Sequence, residues 1–408
     1  MSLKKSLFSF LLLFVISVSF IGSTFVDIVA DATNNQAVKL EGKKANNYIS
    51  NFAKEIADSF EPNLELKVKD VTPIRNTEGD IVSYTCSYYK DKDPYGYIVI
   101  KNEHNELVPQ EFNFTKGTKS LLGEIVDNVE EKKDTRQLSI SSDIYEVAPL
   151  QYCVNVKDNK NNKKEVYDNY GEILNDISIG STKYKNKTII FIKDFTSTKY
   201  KVDNSQTITL SCAKDNKGKY KLLSLYNIEN VTSKYCCGIS VISQIAYMKN
   251  LYPFKNQNDF IKATYNKLWN YAKVTNLSKH YEKQLNKYIT TGSVNTENAA
   301  KALIKYAKER GYKNSYYSTK SNPSVSWIKT NLKNNKPILM GYTINLQDGT
   351  TSAHGISILG YKRAKKISSG KTYNYLMVYD AWNDTVRYLN YTHVDFTACV
   401  AESFTIKK

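Results

Sequence analysis

Near residue 220 the apolar pattern of this chain settles into helical repeats, and beyond about residue 336 it changes to strand-like alternation. Cys237-Gly238 opens a helical repeat with Ile242, Ile245, Ala246 and Lys249 on related faces. Asn295-Thr296-Glu297 starts a second helix, whose inward residues are Ala299, Leu303, Tyr306 and Ala307, with Gly311 suited to its C-cap. A third, short helix holds Trp327, Ile328, Asn331 and Leu332. Strand-like runs follow at 337–343, 354–361, 375–380 and 399–406. Helices first and an antiparallel sheet after them make an α+β plan.

The front half carries a smaller version of the same order. Ala45, Ile49, Phe52, Ile56 and Phe60 recur at helical spacing until Pro62 stops the pattern. Strand runs at 64–71, 81–89 and 95–100 come next, punctuated by Gly79-Asp80 and Asp93-Pro94. Residues 188–192 and 206–212 add two more. This half gathers no catalytic residue types, and His104 sits in a polar Asn-Glu-His-Asn-Glu turn. A length of 408 residues accommodates two such units. The expected division is 1–32 signal peptide, 33–215 accessory region and 216–408 catalytic domain.

The first of these rests on Lys4 and Lys5, an apolar stretch over 7–21 and the small residues Ala30-Asp31-Ala32. The apolar run is short, and no other segment is apolar enough to span a bilayer. The expected location is therefore extracellular, outside a Gram-positive-like bacterium, with no stable membrane span once the signal is removed. Export permits disulfides. However, the cysteines at 86, 153, 212, 236, 237 and 399 form no dense framework, and neighbours such as Cys236 and Cys237 pair only with strain. A net charge of +17 favours anionic partners such as cell-wall polymers. No nucleic-acid-binding motif accompanies it. The Lys/Asn run at 157–164 reads as a solvated loop.

Three segments carry chemistry. In Tyr235-Cys236-Cys237-Gly238-Ile239 a cysteine leads a helix, where the positive end of the helix dipole favours thiolate. Gly238 would let a substrate backbone come close. In Ala353-His354-Gly355-Ile356-Ser357-Ile358-Leu359-Gly360-Tyr361 a histidine heads an apolar strand. In Val378-Tyr379-Asp380-Ala381-Trp382-Asn383-Asp384 a strand end delivers a carboxylate and then a tryptophan. A carboxylate bonded to imidazole fixes its tautomer, and the indole would shield that bond from water. Taken singly, each segment also reads as ordinary structure: a core thiol, a satisfied histidine, a polar turn. Neither His280 nor His393 has partners at metal-ligand spacing, and neither a phosphate loop nor a Gly-x-Ser-x-Gly elbow is present. No metal and no cofactor are expected.

The order Cys, His, Asp resembles that of papain-like cysteine peptidases. The His354 segment is similar to their His-strand-Gly-Tyr block, and Asp380-Ala381-Trp382 resembles their Asn-Ser-Trp block with Asp for Asn. A Cys-Gly pair and an Asp look more like the bacterial branches, the streptopain-like and bacteriocin-processing peptidases. In the front half, residues 94–101 followed by Leu107-Val108-Pro109 resemble the inhibitory propeptide of streptopain-like enzymes. The resemblance implies a zymogen that hydrolyses protein or peptide substrates. Cys237 would be nucleophile, His354 base and Asp380 orienting group, with Trp382 and Gly238 in support.

One departure stands out. These families carry a Gln about six residues before the nucleophile, an oxyanion donor of the kind worth about 3 kcal/mol. Here the nearest side-chain amide is Asn230, which is seven residues before Cys237 and six before Cys236. Cys236 is thus the alternative nucleophile. Two alternative functions share the pattern: a papain-fold cell-wall amidase or acyl transferase, and an inactive secreted binding or toxin-like protein.

Overall fold

Helix α1 (Gly42–Phe60) follows strand β1 (Val38–Glu41) without a break and buries Ala45, Ile49, Phe52, Ile56 and Phe60, the stripe its sequence announces. The structure is a computed structural model and describes residues 37–408 except 133–137, 149, 161, 170, 172, 175–176, 178, 180–187, 194–198, 283–284, 346–350, 383, 395 and 397. The expected signal segment and Asn383 lie outside the described residues.

An antiparallel meander comes next: β2 (Lys67–Arg75), β3 (Ile81–Lys90), β4 (Asp93–Glu103) and β5 (Glu106–Phe112). His104 and Asn105, both at positive φ (52° and 64°), make the two-residue turn between β4 and β5. Helix α2 (Leu121–Lys132) packs Leu121, Ile125 and Val129 onto the meander and onto β6 (Leu138–Ala148) and β7 (Gln151–Asp158). The Lys/Asn run is the turn of a hairpin between β7 and β8 (Lys164–Asp168). β9 (Ile189–Ile192) returns to pair with β1.

The back half begins with two short strands, β10 (Tyr200–Val202) and β11 (Ile208–Thr209), then α3 (Leu225–Thr232) and β12 (Lys234–Tyr235). Helix α4 (Cys237–Met248) is apolar on nearly every side and correspondingly central, with residues Gly238 to Ala246 all buried. Helix α5 (Gln257–Ala272), β13 (Thr275–Glu282) and β14 (Lys287–Ser293) follow, with β12 and β13 flanking β14 in a small sheet. The remainder is α6 (Thr296–Glu309), β15 (Tyr316–Ser321), α7 (Val325–Lys333), β16 (Ile338–Asn345), β17 (Thr351–Lys366), β18 (Thr372–Tyr379), β19 (Arg387–Asn390) and β20 (Ala398–Thr405). β17 runs on to Lys366, where β10 pairs with it.

The protein is thus mixed α+β. Its two halves share one sheet in the order β15-β20-β16-β17-β18-β19-β5-β4-β3-β2-β6-β7-β8. The seam is β19 against β5, with Tyr388 opposite Phe112 and Leu389 opposite Glu111. Side chains alternate across a strand, so the seam has two unlike faces. One is aromatic: Phe112 stacks on Tyr388 at 4.9 Å, and Phe60 of α1 meets both. The other carries charge, gathered around Arg387. A single apolar cluster runs through both halves. Residues 200–215, assigned to the accessory region by sequence, include two strands paired with β17 of the back half.

Candidate active site

The site is built where the N-terminus of α4 meets the middle of β17. Cys236 is the N-cap of α4 in extended conformation (φ −154°, ψ 122°), and Cys237 is the first helical residue. The first amides of a helix have no acceptor within it. Here those of Gly238 and Ile239 are directed at the Cys236 sulfur, which is fully buried. The Tyr265 hydroxyl of α5 fixes the Cys236 amide at 3.0 Å. Cys237 is partly exposed and lines a cleft.

Three groups, together with burial, bear on the Cys237 thiol. The Cys236 S–H donates to it, which is the strongest influence holding it well below the ordinary thiol range. Burial opposes this. A hydrogen bond and the charge of His354, and then the Gly355 amide, add to the lowering. The Cys236 thiol is correspondingly pushed well above its usual value, by its bond to Cys237 and by burial. Cys236→Ala removes the leading donor. Alkylation of Cys237 by iodoacetamide should then require higher pH than in the wild type, because thiolate persists only above the thiol's own pKa. An unchanged rate–pH profile would mean that Cys236 does not tune Cys237.

His354 lies opposite Tyr342 on β16, whose ring meets it edge-on at 5.8 Å. Trp382 stacks on the other face of the imidazole, 3.3 Å away and within 7° of parallel. The indole therefore covers the ring itself. The His354 Nε2 sits 2.8 Å from the backbone carbonyl of Asp380. A carbonyl only accepts, so Nε2 carries the proton and donates, leaving Nδ1 to exchange a proton with sulfur.

Here the sequence expectation is corrected. It has the Asp380 carboxylate orienting His354, whereas the bond that is seen runs through the main chain. The reason is local. Ala381 is left-handed (φ 65°), and this turn aims the Asp380 carbonyl at the imidazole while the Trp382 amide donates to Asp380 Oδ1 at 3.0 Å. Asp380 Oδ2 is drawn 2.9 Å from Nε of Arg387, a fully buried guanidinium.

The expectation for Asn230 is also corrected. Asn230 is exposed on α3, where it takes Lys287 of β14 on its Oδ1 at 3.3 Å, and it does not line the cleft. Its neighbours Ile228 and Glu229 are the buried residues of that helix, so Asn230 faces outward. What the helix start offers an oxyanion is the Cys237 amide, backed by the dipole of α4.

The cleft has a volume of about 370 Å³. Val294, Ala299, Leu339, Ala398 and Val400 give it apolar walls, and among the described residues no acidic or lysine side chain lines it. Gly238 and Gly341 lie where backbone and wall approach closely. A Cβ on Gly238 would stand 2.6 Å from Val294 Cγ1, and one on Gly341 would collide with Thr296 Cγ2. The glycine after Cys237 thus serves helix packing against the wall as well as the opening.

Sequence reasoning missed Tyr342, Gly355, Arg387 and Tyr265. Arg387 left a readable signal of its own, a single charge inside the strand-like Val-Arg-Tyr-Leu after an Asp-rich turn.

No protein-family model matches the chain, and no curated protein matches it. Among solved structures, active wild-type interpain A, a cysteine protease of Prevotella intermedia, aligns with 12% identity over 49% of this chain and 94% of that chain, with a TM-score of 0.27.

Proposed function

We propose that the chain is a papain-like cysteine peptidase that hydrolyses peptide bonds through Cys237 and His354. The observation that carries this reading is the setting of Cys237. A thiol at a helix N-terminus, lowered by Cys236, His354 and the Gly355 amide, faces a cleft.

The thiolate of Cys237 attacks the carbonyl carbon of the substrate, and the C=O electrons move onto oxygen beside the Cys237 amide. His354 gives the Nδ1 proton to the leaving amine as the C–N bond breaks, leaving a thioester. Water, deprotonated by His354, adds to the thioester, and the C–S bond breaks to release the acid and restore the thiolate. Nε2 stays bonded to the Asp380 carbonyl throughout, which keeps the tautomer. The neutral, apolar cleft favours a substrate with an uncharged apolar side chain next to the scissile bond. Export by residues 1–32 belongs to the same proposal and rests on their sequence.

The test is incubation of the purified, reduced protein with a mixed-sequence peptide library, reading products by mass. Amide cleavage beside apolar residues, lost when one iodoacetamide is bound at Cys237, is expected. Cleavage confined to cell-wall peptides would move the protein to the amidase reading. Absence of cleavage together with slow alkylation would favour a binding protein.

A further inference from the structure

The charged face of the seam links the two halves at one side chain. Arg387 of β19 is 1% exposed and faces three carboxylates. Asp380 Oδ2 is 2.9 Å from its Nε, Glu124 Oε2 is 3.3 Å from one terminal nitrogen, and Glu111 Oε1 is 3.8 Å from the other. Asp380 belongs to the candidate site. Glu111 and Glu124 belong to the front half, on β5 and α2. Tyr97 of β4 donates to Glu111 at 2.9 Å and lies 5.7 Å under the guanidinium.

We propose that the front half is a permanent part of the catalytic unit, in which Glu111 and Glu124 act through Arg387 as positioning residues that hold Asp380 and, through its carbonyl, His354. This rests on the peptidase reading. It departs from the zymogen expectation, in which a propeptide-like front region blocks the enzyme until it is removed. Three observations favour permanence. The seam is a hydrogen-bonded strand pair inside one sheet. Among the described residues no front-half side chain lines the cleft, so this half does not occupy it. Removing it would strip Arg387 of two of the three carboxylates that face it, in a region closed to water. Breaking buried ion clusters by removing one side is disruptive.

The groups that act most on Glu111 and Glu124 are Arg387, Asp380, Tyr97, Tyr152, Glu146 and Asp127. Burial pushes both glutamates up to about 7, against the pull of Arg387.

Two experiments test the proposal. First, Glu124→Gln, and then Glu124→Gln with Glu111→Gln, are compared with wild type for peptide hydrolysis across pH. Misplacement of His354 should lower kcat by about 10- to 100-fold with KM within about twofold. The basic limb of the kcat/KM profile, on which the proton for the leaving amine is lost, should move to lower pH, since two negative charges behind His354 are gone. A purely structural role would lower the melting temperature and leave the limb in place, which overturns the positioning role. Glu124→Gln, at a partly accessible carboxylate, guards against loss of folding in the double variant.

Second, a specific protease site is inserted in the exposed turn at 215–218, which leaves β10 and β11 on the front fragment, and the cut protein is run on a sizing column in native buffer. Co-elution of both fragments with activity within about twofold of the uncut protein supports the proposal. Release of the front fragment with equal or higher activity overturns it. A wild type that neither cleaves peptides nor alkylates quickly at Cys237 sinks the peptidase reading, and the positioning role with it. Active wild type with unaltered variants sinks the positioning role alone.

Discussion

Cys237→Ala is expected to abolish peptide hydrolysis, with a loss of about ten-thousand-fold or more in kcat, because the replacement removes the sulfur that forms the thioester. The fold should survive. Cys237 is partly exposed, and a methyl group occupies its place without strain, so the midpoint of denaturation should move by less than about 1 kcal/mol. The neighbouring replacement, Cys236→Ala, separates the two thiols. The Cys236 sulfur is buried and donates to Cys237, so its loss should retune the reaction and leave it running. Steady-state hydrolysis of one fluorogenic peptide by the wild type and both variants decides the matter. Near-wild-type activity in Cys237→Ala, or complete loss in Cys236→Ala alone, would falsify the assignment.

The parts of this site legible in the sequence are those fixed by local pattern. A Cys-Gly pair ahead of Ile242, Ile245 and Ala246 announces a helix start, and α4 begins there. Alternating apolar residues after His354 announce a strand, and β17 places His354 in it. Helix α5 leaves a local signal too, though no catalytic residue type marks it: Asn256 accepts from the Asp259 amide as N-cap, and Phe260, Ile261, Thr264, Tyr265 and Leu268 follow at helical spacing. What local pattern does not contain is direction. The residue type at 380 says that a carboxylate is available; it does not say that a left-handed alanine after it will turn the carbonyl, instead of the carboxylate, to the imidazole. Spacing from Cys237 suggests Asn230, yet which side of α3 faces the cleft depends on how Ile228 and Glu229 pack. Glu111 and Glu124 come from more than 250 residues away in sequence from Arg387, and only the strand order of the sheet brings them there.

Replacing Arg387 with Met should cost about 3–5 kcal/mol, the range found when one side of a buried ion cluster is removed. Met keeps most of the volume, so the loss is electrostatic rather than a cavity. Asp380 and Glu111 are 0% and 1% exposed, and each would lose its cation in a place that water does not reach. The pH dependence of the deficit distinguishes this cause from ordinary packing loss. Glu111 and Glu124 already stand at about 7 through burial, even with Arg387 pulling them down. Without Arg387 they rise further, while in the unfolded chain they return to the ordinary carboxylate value. A carboxyl group whose folded pKa is raised contributes stability that is fully present below the unfolded value, near 4.5, and is lost as pH rises through the folded one. The variant's deficit should therefore be smaller near pH 5, where both glutamates can hold protons and the loss at Asp380 remains, and larger near pH 8, where the fold must keep the glutamates protonated against the solvent or bury their charge. Urea denaturation of wild type and Arg387→Met at those two pH values measures it. A deficit equal at both, or under about 1 kcal/mol at pH 8, would mean that the guanidinium is a packing element and that the seam is held by its strands and aromatic face alone.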